Sequence, residues 1–300
     1  MKVLATRRLP GPAWEELEDL EIGAVDGERP EIEALVVANE PVDEGVLALL
    51  PSLRLVANFG VGYDSVDIAA CTARGVAVTN TPGVLDAATA DLALALLLAA
   101  RRRLVEGDEL VRAGRWTTPW SAGPFLGSEV TGATLGIVGL GRIGSAVARR
   151  ARGFEMRVLY AQRHRVDSDL GEYRRLDELL AEADVVSLHT PLTPETAGLI
   201  DARRLALLPD GATFVNTARG AVVEEDALVA ELVSGRITAG LDVFAHEPDV
   251  PEALLGLPNV VLTPHIASAT IETRSAMTRI LVDNILAAAQ GERLPNQVEP

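Results

Sequence analysis

A chain of 300 residues, 48% of them hydrophobic, can bury a large core and suggests two domains, which excludes a disordered or collagen-like protein. Its formal net charge of -16 repels phosphate backbones and anionic lipid surfaces, so neither nucleic acid nor a membrane is expected as a partner. One cysteine, Cys71, excludes an internal disulfide and a multi-cysteine zinc site, and one lysine, Lys2 at the chain start, excludes Schiff-base and P-loop chemistry.

Taken in chain order, Lys2 to Ala5, Ala34 to Ala38, Leu53 to Phe59 and Val76 to Thr79 are short apolar runs bounded by turn residues, with helical patterns between them. That alternation predicts an α/β protein with a largely parallel sheet. Met1 to Pro10 lacks the apolar stretch of a secretion signal, and Leu92 to Ala100 falls far short of the roughly 20 residues that cross a bilayer, so a soluble cytoplasmic protein is expected. Cys71 reads as a small buried hydrophobe. Asp86 to Arg102 is predicted as a long helix, small and apolar nearly all round, with arginines at its end where they suit the dipole. A helix of this kind is expected to be buried between two bodies and to lead into a second domain.

The second domain opens with Thr134 to Gly139 and continues through Arg157 to Tyr160, Val185 to His189, Thr213 to Asn216, Thr238 to Val243 and Val260 to Leu262. Six such strands make a doubly wound sheet. The helical stretch Ile271 to Gln290 is expected to return to the first domain. The expected architecture is therefore two doubly wound parallel-sheet domains: residues 1–98 with 270–300 for substrate, and residues 99–269 for a dinucleotide, with the ligand cleft between them. The stretch Trp116 to Phe125, with Trp116 and Trp120, reads either as part of a dimer interface or as cover for the core.

Gly139-Leu140-Gly141-Arg142-Ile143-Gly144 follows an apolar strand and opens a helix, the context a dinucleotide-binding loop requires. The first glycine permits a tight turn, the second lets backbone approach the pyrophosphate, and the third allows the helix to pack on the strand. About 20 residues on, NAD enzymes place an acid for the adenosine ribose. Here the strand ends Gln162-Arg163-His164-Arg165, with no acid. Arg163 and Arg165 can pair with a 2′-phosphate through charge-assisted bonds, so NADPH is preferred over NADH; the bland alternative is a solvated surface turn.

Ligands of open α/β sheets bind beyond the carboxyl ends of the strands. Arg219, Glu247 and His265 each follow an apolar run at such an end. A 2-oxo acid needs its carboxylate held, its carbonyl polarised and a proton delivered. Arg219 can do the first two, His265 can be the acid, and Glu247 can orient the imidazole. Taken singly, an arginine after a strand is more often a surface ion pair, and a histidine in a turn more often structural.

Asn58-Phe59-Gly60-Val61-Gly62-Tyr63-Asp64, Thr79-Asn80-Thr81-Pro82-Gly83, the glycine loop, Asn216-Thr217-Ala218-Arg219-Gly220, Gly240-Leu241-Asp242-Val243-Phe244 and Thr263-Pro264-His265-Ile266 occur in that order. In these motifs the chain resembles the D-2-hydroxyacid dehydrogenases, most closely the glyoxylate/hydroxypyruvate reductase branch, over nearly all of its length after about residue 50. The resemblance implies a Rossmann cofactor domain, a flavodoxin-like substrate domain and a homodimer. It implies that Arg219 binds substrate, Glu247 supports and His265 donates the proton, while the Val61 and Gly62 amides hold the substrate carboxylate. Asp242 would bond the nicotinamide carboxamide, and Thr89, His189, Thr217, Ala218 and Ala267 would line the cofactor. Ala267 stands where relatives often carry glycine, and the first fifty residues match weakly, which leaves the recognition of the substrate's distal group open. On the same scaffold, a phosphoglycerate or bulkier 2-oxo acid dehydrogenase is the runner-up, and a nucleotide-sensing corepressor is the reading from another class. Formate dehydrogenases pair their histidine with glutamine, whereas Glu247 stands here.

Overall fold

The computed structural model describes residues 1–117 and 125–299. Trp120 lies outside them. The chain divides into two units, Met1–Leu85 with Ser268–Pro300, and Asp86–Ala267.

The first unit holds five strands, β1 (Val3–Ala5), β2 (Leu20–Ile22), β3 (Ala34–Val37), β4 (Leu55–Asn58) and β5 (Ala77–Thr79), in the order β2-β1-β3-β4-β5 and all parallel. Because β1, β3 and β4 are buried at every position, both faces of each carry apolar side chains, and the strands read as short apolar runs, broken only by Asn58 at the end of β4. On one face Val3, Ala34, Val36 and Leu55 pack with Leu281, Val282 and Ile285 of the helix Ile271–Gln290. On the other, Leu4, Leu35, Val56 and Val78 pack with Cys71, which is fully buried as expected of a small hydrophobe. Thr270 caps the helix Ile271–Gln290 by accepting the Thr273 N–H at 3.1 Å.

Among its described residues the second unit holds seven parallel strands: β6 (Thr134–Val138), β7 (Arg157–Ala161), β8 (Glu172–Tyr173), β9 (Val185–Leu188), β10 (Thr213–Asn216), β11 (Thr238–Leu241) and β12 (Val260–Leu262). Their order is β12-β11-β10-β9-β6-β7-β8. The direction of winding reverses between β6 and β9, and a doubly wound sheet opens its ligand crevice at the carboxyl ends of such a pair. Gly139 follows β6 and His189 follows β9, so the glycine loop sits at this reversal.

Two strands escape the sequence pattern. β2 and β8 are edge strands of three and two residues, partly exposed and carrying Glu21 and Glu172, so neither has an apolar run to reveal it. The unit boundary, expected after residue 98, falls before Asp86. The helix Asp86–Arg101 packs on β10, β11 and the helix Arg142–Ala151 through Ala90, Ala93, Leu94, Leu96 and Leu97. Its apolar surface belongs to the core of the second unit. The returning segment begins at Ser268, two residues before the expected 270.

Candidate active site

Arg219 lies three residues beyond β10, in extended backbone. Asn216, 2% exposed at the strand's end, shapes this turn: its Nδ2 donates to the Arg219 carbonyl at 2.9 Å and its Oδ1 accepts the Ala218 N–H at 3.0 Å. Arg219 Nη1 donates to the Ala218 carbonyl at 2.9 Å. The next residue must be glycine. A Cβ on Gly220 would lie 1.9 Å from the Phe244 carbonyl carbon, so only a bare backbone lets the segment carrying Glu247 approach the Arg219 turn.

Glu247 accepts the Phe244 N–H on Oε1 at 3.2 Å, while Oε2 lies 2.7 Å from His265 Nδ1. An ionised carboxylate only accepts, so Nδ1 carries a hydrogen and Nε2 is the ring atom left for a ligand. Burial opposes the charge on Glu247. The hydrogen bond and charge of His265, the Phe244 amide and the charge of Arg219 outweigh it and hold the carboxyl below its ordinary value. The guanidinium and the imidazole thus act on one carboxylate.

His265 has a backbone φ of 53°, a left-handed conformation rare outside glycine. Its N–H donates to the carbonyls of Asp242 at 2.9 Å and Thr263 at 3.1 Å. The fully buried Asp242 carboxylate anchors the same turn, accepting the Thr263 hydroxyl at 2.5 Å and the N–H groups of Ile266 and Ala267 at 2.9 Å each. Burial raises the Asp242 carboxyl above its ordinary value, against these three bonds and the charge of His265. The Ala267 N–H is therefore engaged inside the protein, and three of the acceptor positions of Asp242 hold the turn that carries His265.

The glycine loop sits at the end of β6. A Cβ on Gly144 would lie 2.1 Å from the Gly139 carbonyl oxygen, so the helix Arg142–Ala151 closes on the loop only through glycine. A Cβ on Gly141 would meet nothing within 4 Å, which leaves room for a ligand to approach the backbone. The helix then presents its first N–H groups, from Arg142 and Ile143, at its positive end. Leu140 N–H donates to Gln162 Oε1 at 3.2 Å, and Gln162 Nε2 donates to the His164 carbonyl at 2.7 Å, so Gln162 ties the loop to the turn after β7. In that turn Arg163, His164 and Arg165 are exposed, and the Arg165 guanidinium lies 5.9 Å from the Tyr173 ring centre. Arg163 contributes a positive charge felt by Glu195. Thr89 is buried in the helix Asp86–Arg101, and Nε2 of His189 lies 2.9 Å from the Ser187 hydroxyl.

Two buried hydroxyls at this edge, Thr190 Oγ1 after β9 and Thr217 Oγ1 after β10, find no partner among the described residues. Buried polar atoms rarely stay unpaired. Together with the exposed helix N-terminus, they fit a polar, anionic ligand such as a dinucleotide. No group of three or more His, Cys, Asp or Glu residues suited to a metal ion occurs among the described residues, and no helix among them is long and apolar enough to cross a membrane.

Val61 and Gly62 lie in the loop after β4, in the first unit, where their N–H groups donate to nothing among the described residues. The structure thus joins Arg219, Glu247, His265 and Asp242 in one network, and the glycine loop with Gln162 in another. Asn216, Asn58 and Asn80, which bond loop backbone, carry no separate signal in the sequence. A short amide side chain at the end of a strand is the only cue to such a role.

Residues 94–267 match the family model for the D-isomer specific 2-hydroxyacid dehydrogenase NAD binding domain. The chain is 46% identical to a glyoxylate reductase of Korarchaeum cryptofilum and 47% identical to one of Pyrococcus furiosus, in each case over 99% of this chain and 95% of the relative. Among solved structures, a protein of Thermus thermophilus superposes with a TM-score of 0.93 at 44% identity, covering 100% of both chains. An NADPH-dependent glyoxylate/hydroxypyruvate reductase of Sinorhizobium meliloti, in complex with NADP and malonate, superposes with a TM-score of 0.89 at 36% identity, over 99% of this chain and 96% of that one.

Proposed function

Since the chain belongs to the D-isomer specific 2-hydroxyacid dehydrogenases, as an NAD(P)-dependent enzyme acting on a small 2-oxo acid, we propose that it reduces glyoxylate or hydroxypyruvate with NADPH. The observation that carries the reading is the 2.7 Å contact between Glu247 and His265 beside the charge of Arg219. When bound, the nicotinamide cofactor would supply the hydride that the carbonyl carbon accepts. Arg219 offers a planar guanidinium to the substrate carboxylate and carbonyl oxygen, and the amides of Val61 and Gly62 take the rest of the carboxylate. His265 Nε2 delivers a proton to the carbonyl oxygen as it becomes a hydroxyl. Glu247 holds the ring by its far nitrogen, Nδ1, which leaves Nε2 as the ring atom that can carry the proton.

Gly139, Leu140, Gly141, Arg142 and Ile143 would hold the pyrophosphate, and Gln162, Arg163, His164 and Arg165 would take the adenosine ribose and its phosphate. Thr89, His189, Thr217, Ala218, Asp242, His265 and Ala267 would line the remainder. The absence of an acid after β7 supports NADPH, because a carboxylate there would repel a 2′-phosphate.

Following NADPH oxidation with glyoxylate, hydroxypyruvate and 3-phosphohydroxypyruvate tests the substrate directly. Arg219→Ala and His265→Ala are expected to lose at least about 100-fold in kcat/KM, as removal of a charge clamp or a general acid does, while still folding and binding NADPH. Unchanged turnover in His265→Ala would remove the proposed acid, and preference for the phosphorylated substrate would move the enzyme to the phosphoglycerate branch.

A further inference from the structure

The loop after β4 is held from behind at three successive carbonyls. Gly60 O accepts from the Thr81 N–H at 2.9 Å and from Asn58 Nδ2 at 3.3 Å. Val61 O accepts from Asn80 Nδ2 at 2.9 Å, and Gly62 O accepts from Asn58 Nδ2 at 2.8 Å. In a trans peptide the carbonyl and the N–H of one unit point in opposite directions. Anchoring the Gly60 carbonyl therefore turns the Val61 N–H away from the asparagines, and anchoring the Val61 carbonyl does the same for the Gly62 N–H.

Both asparagines are themselves fixed. Asn58 ends β4 and is 2% exposed, so its amide must be satisfied internally. The Asn80 N–H donates to the Asn296 carbonyl at 3.3 Å, and Asn296 is held in turn by the fully buried Asn284, through bonds of 3.0 and 3.1 Å. The N–H groups of Val61 and Gly62, by contrast, donate to nothing among the described residues.

We propose that Asn58 and Asn80 are positioning residues whose amides aim the Val61 and Gly62 N–H groups at the substrate carboxylate, with Asn80 alone setting the direction of Gly62. The inference rests on the reading that these two amides receive that carboxylate. Thr81 N–H shares the Gly60 carbonyl with Asn58, whereas nothing shares the Val61 carbonyl with Asn80, so Asn80 is the sharper test.

Asn80→Asp keeps the outline of the side chain and removes its donor, and Asn80→Ala removes both. Each is expected to raise KM for glyoxylate and the inhibition constant of oxalate together, on the order of 30-fold, the weight of a hydrogen bond to a charged group. Turnover at saturating glyoxylate and KM for NADPH should change less than about threefold, since neither depends on the direction of one amide. An amide that only stabilises the fold would lower Tm and leave the ratio of the glyoxylate and NADPH constants untouched. Wild-type constants in both variants, or parallel loss of oxalate and NADPH binding, would overturn the proposal. Should Asn80→Ala fail to fold, the isosteric Asn80→Asp carries the test. If the unmutated enzyme neither reduces glyoxylate nor binds oxalate, the fault lies in the underlying functional reading and not in the positioning argument.

Discussion

Arg163 has no carboxylate within ion-pairing range among the described residues and lies exposed in the turn after β7, so its charge is available to a ligand. Arg163→Ala should weaken NADPH by about 30-fold, the loss of a charge-assisted phosphate contact, and leave NADH nearly unchanged. Equal loss for both cofactors, measured by fluorescence titration, would break the selectivity argument. His189 behaves differently. Burial pushes its imidazole down from 6.5 to about 4, so between those values the unfolded chain binds the proton and the folded chain does not. Stability should therefore fall as pH drops from 6.5 to about 4 and gain no further loss from this residue below that, by no more than about 3 kcal/mol because the residue retains some solvent access. His189→Gln should flatten the dependence of Tm on pH in that window; an unaltered slope would show the imidazole is not protected. At this scale Arg219, Glu247 and His265 are readable because each stands just past an apolar run, where a doubly wound sheet exposes its ligand edge. Asn58, Asn80 and Asn216 are not, because they act on backbone carbonyls and N–H groups that no spacing pattern encodes.

The strands that a sequence reveals are those buried on both faces. Val185–Leu188 and Thr213–Asn216 are buried throughout and stand out as short runs, whereas β2 and β8, at sheet edges and acidic, do not. The helix Asp86–Arg101 shows the complementary limit. Small apolar residues on every side say that it is buried, but only three-dimensional packing says that the partner is β10 and β11, which moves the boundary back to Asp86. The connections beyond the strands are less forgiving than the strands themselves. Gly220→Ala places a methyl group into the backbone at Phe244 and Ala245, and should cost on the order of 3 kcal/mol by forcing the two segments apart. The same separation should lower kcat/KM by more than about tenfold, since it moves Glu247 relative to Arg219. A variant with normal Tm and kinetics would show that this close approach is dispensable.

At the level of the whole molecule, the two-unit organisation, with the first unit drawn from both ends of the chain, follows from the returning helix Ile271–Gln290, a helical stretch legible in the sequence. Association is less so. Leu104, Val105, Val111, Trp116, Phe125 and Leu126 are exposed, with Leu126 at 70% and Trp116 at 61%, apolar surface that a second copy of the chain would cover if the expected homodimer forms. Sedimentation velocity should give twice the chain mass, and Leu104→Glu combined with Leu126→Glu should return it to one chain. A monomeric wild-type protein would end that reading.

The left-handed backbone at His265 sets chain chemistry against chain comfort. An L-residue with a Cβ is held there at a penalty of roughly 1 kcal/mol that glycine would not incur. Selection for durability alone would drift toward glycine or asparagine at this position, and the imidazole that stands there instead marks a place where the fold tolerates tension so that a titratable ring can occupy the rim of the sheet.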